Sequence, residues 1–126
     1  MSIVGIGTEI VECLRIRRMI EEHEEQFLLR IFTEKEIRFC QSRLHSTEHF
    51  AARWAAKEAV LKSLGTAGGK GTAWTDIETE SDEAGNTKAS VRGGLRELMN
   101  TRGIRDVLIT ISYCRAYATA TAIALG

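Results

Sequence analysis

The chain has 126 residues, with 44% hydrophobic and 27% charged side chains, which is the size and balance of one water-soluble globular domain. Seventeen basic and seventeen acidic residues cancel to a net charge of +0. No global field therefore draws the chain to nucleic acid or an anionic membrane, and any phosphate chemistry must rest on local charge. No apolar run approaches the roughly 20 residues of a membrane span. Met1 leads directly into a strand-like segment rather than a basic stretch and an apolar signal core, so a cytoplasmic location is expected. Cys13, Cys40 and Cys114 are an odd number without CxxC spacing; they read as reduced thiols acting as small hydrophobes.

Residues 2–11, SIVGIGTEIV, alternate small and β-branched residues as a buried strand does. From Glu12 the period becomes helical, through Leu14, Ile16, Met19 and Ile20 and then Phe27, Leu28 and Ile31, with a break expected in the polar stretch Glu21 to Glu25. Thr33 followed by Glu36 is a capping box that starts a short helix running through Phe39. Ser46 or Thr47 is placed to cap a further helix, FAARWAAKEAVLKSLGT (50–66), which Gly65 is placed to end. The glycine-rich 65–71, GTAGGKG, reads as a loop. AWTDIETE (73–80) and TKASVR (87–92), joined by SDEAGN (81–86), read as a hairpin. A short helix over 93–102 ends at Gly103, and VLITIS (107–112) and YATATAIAL (117–125) read as two final strands. With no repeat, no proline and no linker, residues 1–126 are expected to form a single α+β domain.

The helix over 50–64 carries charges where a core face is expected. At roughly 100° per residue, Phe50, Trp54, Leu61 and Leu64 share one face. Lys57 projects into that arc, Glu58 lies on its shoulder, and Lys62 follows Glu58 by four residues. An exposed Glu-to-Lys pair at that spacing is worth about 0.2–0.5 kcal/mol and needs no function. Lys57 is different, because a lysine within an apolar arc must either snorkel or find an anion. Glu9, flanked by Ile10 and Val11, either faces solvent from the strand end or joins a second carboxylate and a phosphate around Mg²⁺, a hard ion that favours oxygen. GTAGGKG lacks the Lys-Ser/Thr ending of a phosphate-binding P-loop, although its amides and Lys70 suit an anion weakly. His23, His45 and His49 lack zinc-like spacing and read as surface histidines, and Ser112 has no neighbouring histidine for hydrolase chemistry.

Five segments occur together in one order: GIGTEIVECLRI, FTEKEIRFC, FAARWAAKEAVLKSLGT, WTDIE and ITISYCRAYATATAIA. In this order the chain resembles the holo-[acyl carrier protein] synthases, the small trimeric group of 4′-phosphopantetheinyl transferases. The resemblance runs from about residue 3 to the C-terminus, and RWAAKEAVLK matches the group's W-x-x-KEA-x-x-K helix. It implies the 4′-phosphopantetheinyl transferase fold and transfer of the 4′-phosphopantetheine arm of coenzyme A to a serine of apo acyl carrier protein. The other product is adenosine 3′,5′-bisphosphate, and the assembly is a homotrimer with active sites at subunit interfaces.

Residue by residue, the resemblance implies that Glu9 and Glu58 hold Mg²⁺ against the CoA pyrophosphate and that Lys62 contacts it. Glu58, or a metal-bound water, then accepts the serine proton. Arg53 and Lys57 become partners of CoA phosphates, and Gly65 and Thr66 line the nucleotide. Arg15, with Arg17 and Arg18, becomes a basic docking helix for the acidic carrier, with Met19 and Phe27 adding apolar contact. Two positions depart from the group. Glu9 stands where an aspartate is usual, and Tyr113 stands where the penultimate strand often carries a histidine that touches CoA phosphate across the subunit boundary. Tyr113 keeps a donor but carries no positive charge near pH 7. These departures leave two alternatives open: a relative serving a specialised carrier protein, and a non-catalytic module that binds CoA or a carrier protein.

Overall fold

The computed structural model describes residues 1–68 and 71–126; Lys70 lies outside the described residues. Strand β1 (Ile3–Glu12) leads into α1 (Cys13–Ile31), α2 (Glu34–Gln41) and α3 (Ser46–Ser63). A 3₁₀ turn (Trp74–Asp76) precedes the hairpin β2 (Ile77–Ser81) and β3 (Thr87–Val91), followed by α4 (Gly93–Thr101), β4 (Asp106–Tyr113) and β5 (Tyr117–Leu125). Strands β1, β5 and β4 form an antiparallel sheet in that order, and β2 pairs with β3 apart from it. The expected α+β class is observed.

Helix α3 lies against one face of the large sheet, and small residues permit the approach. Ala51, Ala52, Ala55, Ala56 and Ala59 of the helix and Ala118, Ala120, Ala122 and Ala124 of β5 are all buried. A Cβ on Gly5 would collide with the Ser63 carbonyl oxygen, and one on Gly7 with that of Ala59. These two glycines are what let helix and strand backbones meet. Because side chains alternate along a strand, Glu9 shares the helix-facing side with Gly5 and Gly7. The GIG segment thus brings β1 under α3 and aims Glu9 towards it.

The opposite face of the sheet is open. Ile6, Ile123 and Leu108 form one cross-strand row, and Thr8, Thr121 and Thr110 form the next. Ile6 and Ile10 are 63% and 62% exposed.

Several local expectations hold with a mechanism. Thr33 Oγ1 accepts from the Glu36 amide while Glu36 Oε1 accepts from the Thr33 amide, the reciprocal pair of a capping box. Helix α1 breaks at Glu24 (φ 47°, ψ −127°), inside the stretch expected to interrupt it. Gly65 sits at φ 80° after α3, with its amide bonded to Lys62 O and the Thr66 amide to Leu61 O. That is a Schellman ending, and the left-handed φ favours glycine there.

Other expectations are corrected. The strand expected from residue 73 begins at Ile77, because Trp74 turns into the core and Asp76 is used elsewhere. Asp76 Oδ2 accepts from the Leu95 amide at the start of α4, 3.4 Å away. His45, not Ser46 or Thr47, is the N-cap of α3, and it makes no side-chain cap. Cys13 and Cys40 are buried as expected, and burial pushes the Cys40 thiol up to about 12, leaving it inert at neutral pH. Cys114, by contrast, is exposed.

Candidate active site

The acids of β1 and α3 meet where the small-residue contact ends. Lys62 Nζ lies 3.5 Å from Glu9 Oε2 and donates to the Thr8 carbonyl at 3.0 Å. Glu9 Oε1 accepts from the Ile10 amide. Glu58 is half-buried, and its carboxyl titrates above the ordinary range. Burial is the main cause and the charge of Glu9 adds to it, while Lys62 and Arg15 pull the other way. The structure thus brings Glu9, Glu58, Lys62 and Arg15 into one electrostatic group. Beside it opens a cavity of about 530 Å³, lined by Met19, Phe27, Ile31, Trp54, Glu58 and Trp74, with His23, Gln26 and Arg30 at its polar side. Trp54 stacks on Trp74 (ring centroids 5.1 Å apart, planes 19° apart) and forms its aromatic wall.

This donor set fits a hard divalent cation. Burial raises the Glu58 carboxyl and repulsion from Glu9, on a different element, adds to it; a cation held by both would relieve that repulsion. Among the described residues no three His, Cys, Asp or Glu side chains gather for a metal. Protein oxygen would therefore fill only part of the shell, which suits Mg²⁺ with water and substrate phosphate in the rest.

Lys57 and Arg53 are not where a phosphate contact was expected. Lys57 is 0% exposed, and its ammonium meets Glu36 Oε1 at 2.7 Å as well as the carbonyls of Ile31, Ile77 and Trp74. Its position in the apolar arc placed it in the core, and the anion it meets there is a protein carboxylate rather than the phosphate expected from CoA. Arg53 is 2% exposed, lies on the Phe39 ring with its guanidinium carbon 4.4 Å from the centroid, and donates Nη2 to Ser81 Oγ at 2.7 Å. It too belongs to the packing rather than to an open cationic surface. Tyr113 is exposed and its ring is 5.2 Å from that of His49, whose imidazole is held below its usual pKa by burial and by Arg53, Arg43 and His45. This second group is separate from the cavity beside Glu58. Gly65 is exposed and Thr66 half-buried at the end of α3, where Thr66 borders a further cavity with Leu61 and Asp76.

On α1, Arg15 and Arg18 are exposed and flank a shallow depression with Leu14 and Met19. Arg17 is drawn into an exposed pair with Glu21 at 3.7 Å. Phe27, expected on the docking surface, is instead buried, 6.1 Å from Phe32 and 5.9 Å from Trp54 between ring centroids. It reaches the cavity from the core side.

The family model of the 4′-phosphopantetheinyl transferase superfamily matches residues 5–122. The chain belongs to that superfamily. The transferase is 42% identical over 120 residues to a holo-[acyl-carrier-protein] synthase of Rhodopirellula baltica, covering 95% of each chain. Its fold matches the crystal structure of the holo-[acyl-carrier-protein] synthase of Neisseria meningitidis with a TM-score of 0.89 at 28% identity, over 99% of this chain and 100% of that one. It also matches a holo-(acyl-carrier-protein) synthase of Bacillus anthracis in complex with CoA (3′,5′-ADP), with a TM-score of 0.79 at 32% identity over 97% and 96% of the two chains.

Three features of the transferase escaped the sequence reading. Glu36 was legible only as a capping residue; its second oxygen reaches Thr79, far along the chain. Trp74 read as a strand residue, and its stacking on Trp54 in the cavity wall has no local pattern. His49 read as a surface histidine, although its place four residues before Arg53 put it on the same side of α3.

Proposed function

We propose that the transferase moves the 4′-phosphopantetheine group from coenzyme A to a serine of apo acyl carrier protein, with Mg²⁺ as cofactor and adenosine 3′,5′-bisphosphate as the second product. The observation that carries this reading is the grouping of Glu9, Glu58, Lys62 and Arg15 beside an apolar cavity. Glu9 and Glu58 would hold Mg²⁺, which when bound neutralises charge on the CoA pyrophosphate. Glu58 takes the proton of the serine hydroxyl. The serine oxygen bonds to the phosphorus that carries the pantetheine arm. The bond from that phosphorus to the bridging oxygen breaks, and the electron pair leaves on adenosine 3′,5′-bisphosphate. Lys62 offsets the charge that builds on the leaving phosphate.

Gly65 and Thr66 are assigned to the nucleotide end and Tyr113, beside His49, to a CoA phosphate. Lys57, sealed in the core, takes no part in holding CoA. Arg15 and Arg18, with Met19 between them and the cavity, form the docking face for an acidic carrier. The whole chain, 1–126, acts as one domain. Homotrimer assembly is supported by the uncovered row of Ile6, Ile123 and Leu108 and by the separation of the Tyr113 group from the Glu58 cavity, which a neighbouring copy would close. Among the described residues no helix is long and apolar enough to cross a membrane, and a cytoplasmic site of action, without nucleic acid or membrane as partner, fits the balanced charge. A specialised carrier is the second reading, favoured by Glu9 and Tyr113. Release of adenosine 3′,5′-bisphosphate with housekeeping and pathway-specific apo carriers, alongside calorimetric titration of CoA with and without Mg²⁺, tests all of this. Turnover on either class supports transfer and identifies the carrier; Mg²⁺-independent CoA binding without turnover would make the chain a binding module instead.

A further inference from the structure

The reaction leaves two buried charges of α3 unused, Arg53 and Lys57, and Lys57 is the more deeply engaged. Lys57 Nζ donates to the carbonyls of Ile77 (2.7 Å), Ile31 (2.8 Å) and Trp74 (3.2 Å) and lies 2.7 Å from Glu36 Oε1. Three ammonium hydrogens therefore serve four acceptors from four elements. Glu36 is equally occupied: its Oε1 also accepts from the Thr33 amide at 2.9 Å, and its Oε2 accepts from the Thr79 amide at 2.9 Å and from Thr79 Oγ1 at 2.6 Å. Both side chains are 0% exposed. Burial holds the Lys57 pKa below its ordinary value, against the opposing charge of Glu36.

Stability alone is a poor reason to keep such a pair, because well-packed apolar residues of similar volume commonly serve as well or better. The acceptors point to another reason. Ile31 ends α1, and Trp74 opens the 3₁₀ turn; the side chains of both line the cavity beside Glu58. Glu58 is the next residue of α3, so its turn of helix also carries the ammonium that holds those two walls. An apolar side chain at position 57 would fill the space, but it would take the ammonium donor from the carbonyls of Ile31 and Ile77 and leave that of Trp74 with the Ile77 amide alone.

We infer that Lys57, with Glu36 as its counter-ion, is a positioning residue for the transfer reaction: it fixes the Ile31 and Trp74 walls of the cavity relative to Glu58. The inference rests on Glu58 as the reacting centre. It assigns the lysine of the KEA segment to the shape of the site and not to phosphate.

The test compares wild type, Lys57→Met, the double variant Glu36→Leu/Lys57→Met and Thr79→Val. It uses kcat and KM for CoA, thermal melts, and the near-ultraviolet circular dichroism of the Trp54–Trp74 stack. In both Lys57 variants kcat falls at least roughly 10-fold, as a displaced site requires, while KM for CoA stays within about 3-fold and the tryptophan signal changes. The double variant melts closer to wild type than Lys57→Met does, without regaining kcat. Thr79→Val, which removes one donor to Glu36 and is nearly isosteric, lowers kcat about 2- to 5-fold with KM held; it carries the test if Lys57→Met does not fold. Recovery of kcat together with the melting temperature in the double variant would overturn the inference, since Lys57 would then serve stability only. An increase of KM for CoA by about 10-fold with an unchanged tryptophan signal would overturn it in favour of a direct phosphate contact, and so would an unaltered kcat in Thr79→Val. Wild type that transfers nothing refutes the functional reading instead, and the tryptophan signal still reports whether Lys57 shapes the walls.

Discussion

Helix α3 carries two lysines five residues apart, and each faces a glutamate. Lys57 and Glu36 are sealed at 2.7 Å with every charged oxygen occupied. Lys62 and Glu9 stand 3.5 Å apart with side chains 49% and 24% exposed. Both are lysine–glutamate pairs, yet only the second leaves charge free to meet a ligand. Glu58, between the two lysines in sequence, belongs to the open pair: its carboxyl is raised by burial and Glu9 and steadied by Lys62. The difference separates a charge that builds the site from charges that react in it.

Breaking the closed pair is expected to have the largest effect on the fold. Glu36→Leu alone strands the Lys57 ammonium and should cost about 3–5 kcal/mol in urea unfolding. Glu58→Gln should slow transfer by about 100-fold or more and yet stabilise the protein at pH 7–8. The sign follows from the raised carboxyl. Its contribution to stability is fully present below the ordinary glutamate pKa of 4.5 and is lost as pH rises through the folded value, so ionised Glu58 is a liability at neutral pH that glutamine lacks. Thermal melts at pH 5 and 8 read it: the variant gains over wild type at pH 8 and less at pH 5. In the metal-free protein the Glu58 carboxyl should titrate above 4.5, read by NMR as a function of pH. The smallest effect is on the open pair: Lys62→Met should change unfolding free energy by at most about 1 kcal/mol while transfer falls roughly 10-fold or more.

The comparison also explains what the sequence made legible. Period and spacing located α3, its apolar arc and the intrusion of Lys57, and the capping box at Thr33 and Glu36 was visible because it is a contact between near neighbours. The same Glu36 meeting Lys57 and Thr79 was not, since those partners come from other elements and no local pattern joins them. Trp74 and Asp76 fit an alternating strand, but burial of the indole and capping of α4 by the carboxylate outweigh that pattern. Glu9 shows the opposite case. Its alternation with Gly5 and Gly7, which the α3 backbone touches, already aims it at the helix, while its closeness to Lys62 depends on how tightly α3 packs.

Intact-mass spectrometry of an apo acyl carrier protein incubated with CoA, Mg²⁺ and either wild type or Glu58→Gln tests the reacting group most directly. One 4′-phosphopantetheine group should appear on a serine with wild type, and form at least about 100-fold more slowly with the variant. A carrier that stays unmodified by wild type, or is modified equally fast by Glu58→Gln, would contradict the assignment of the open pair and Glu58 to the chemistry.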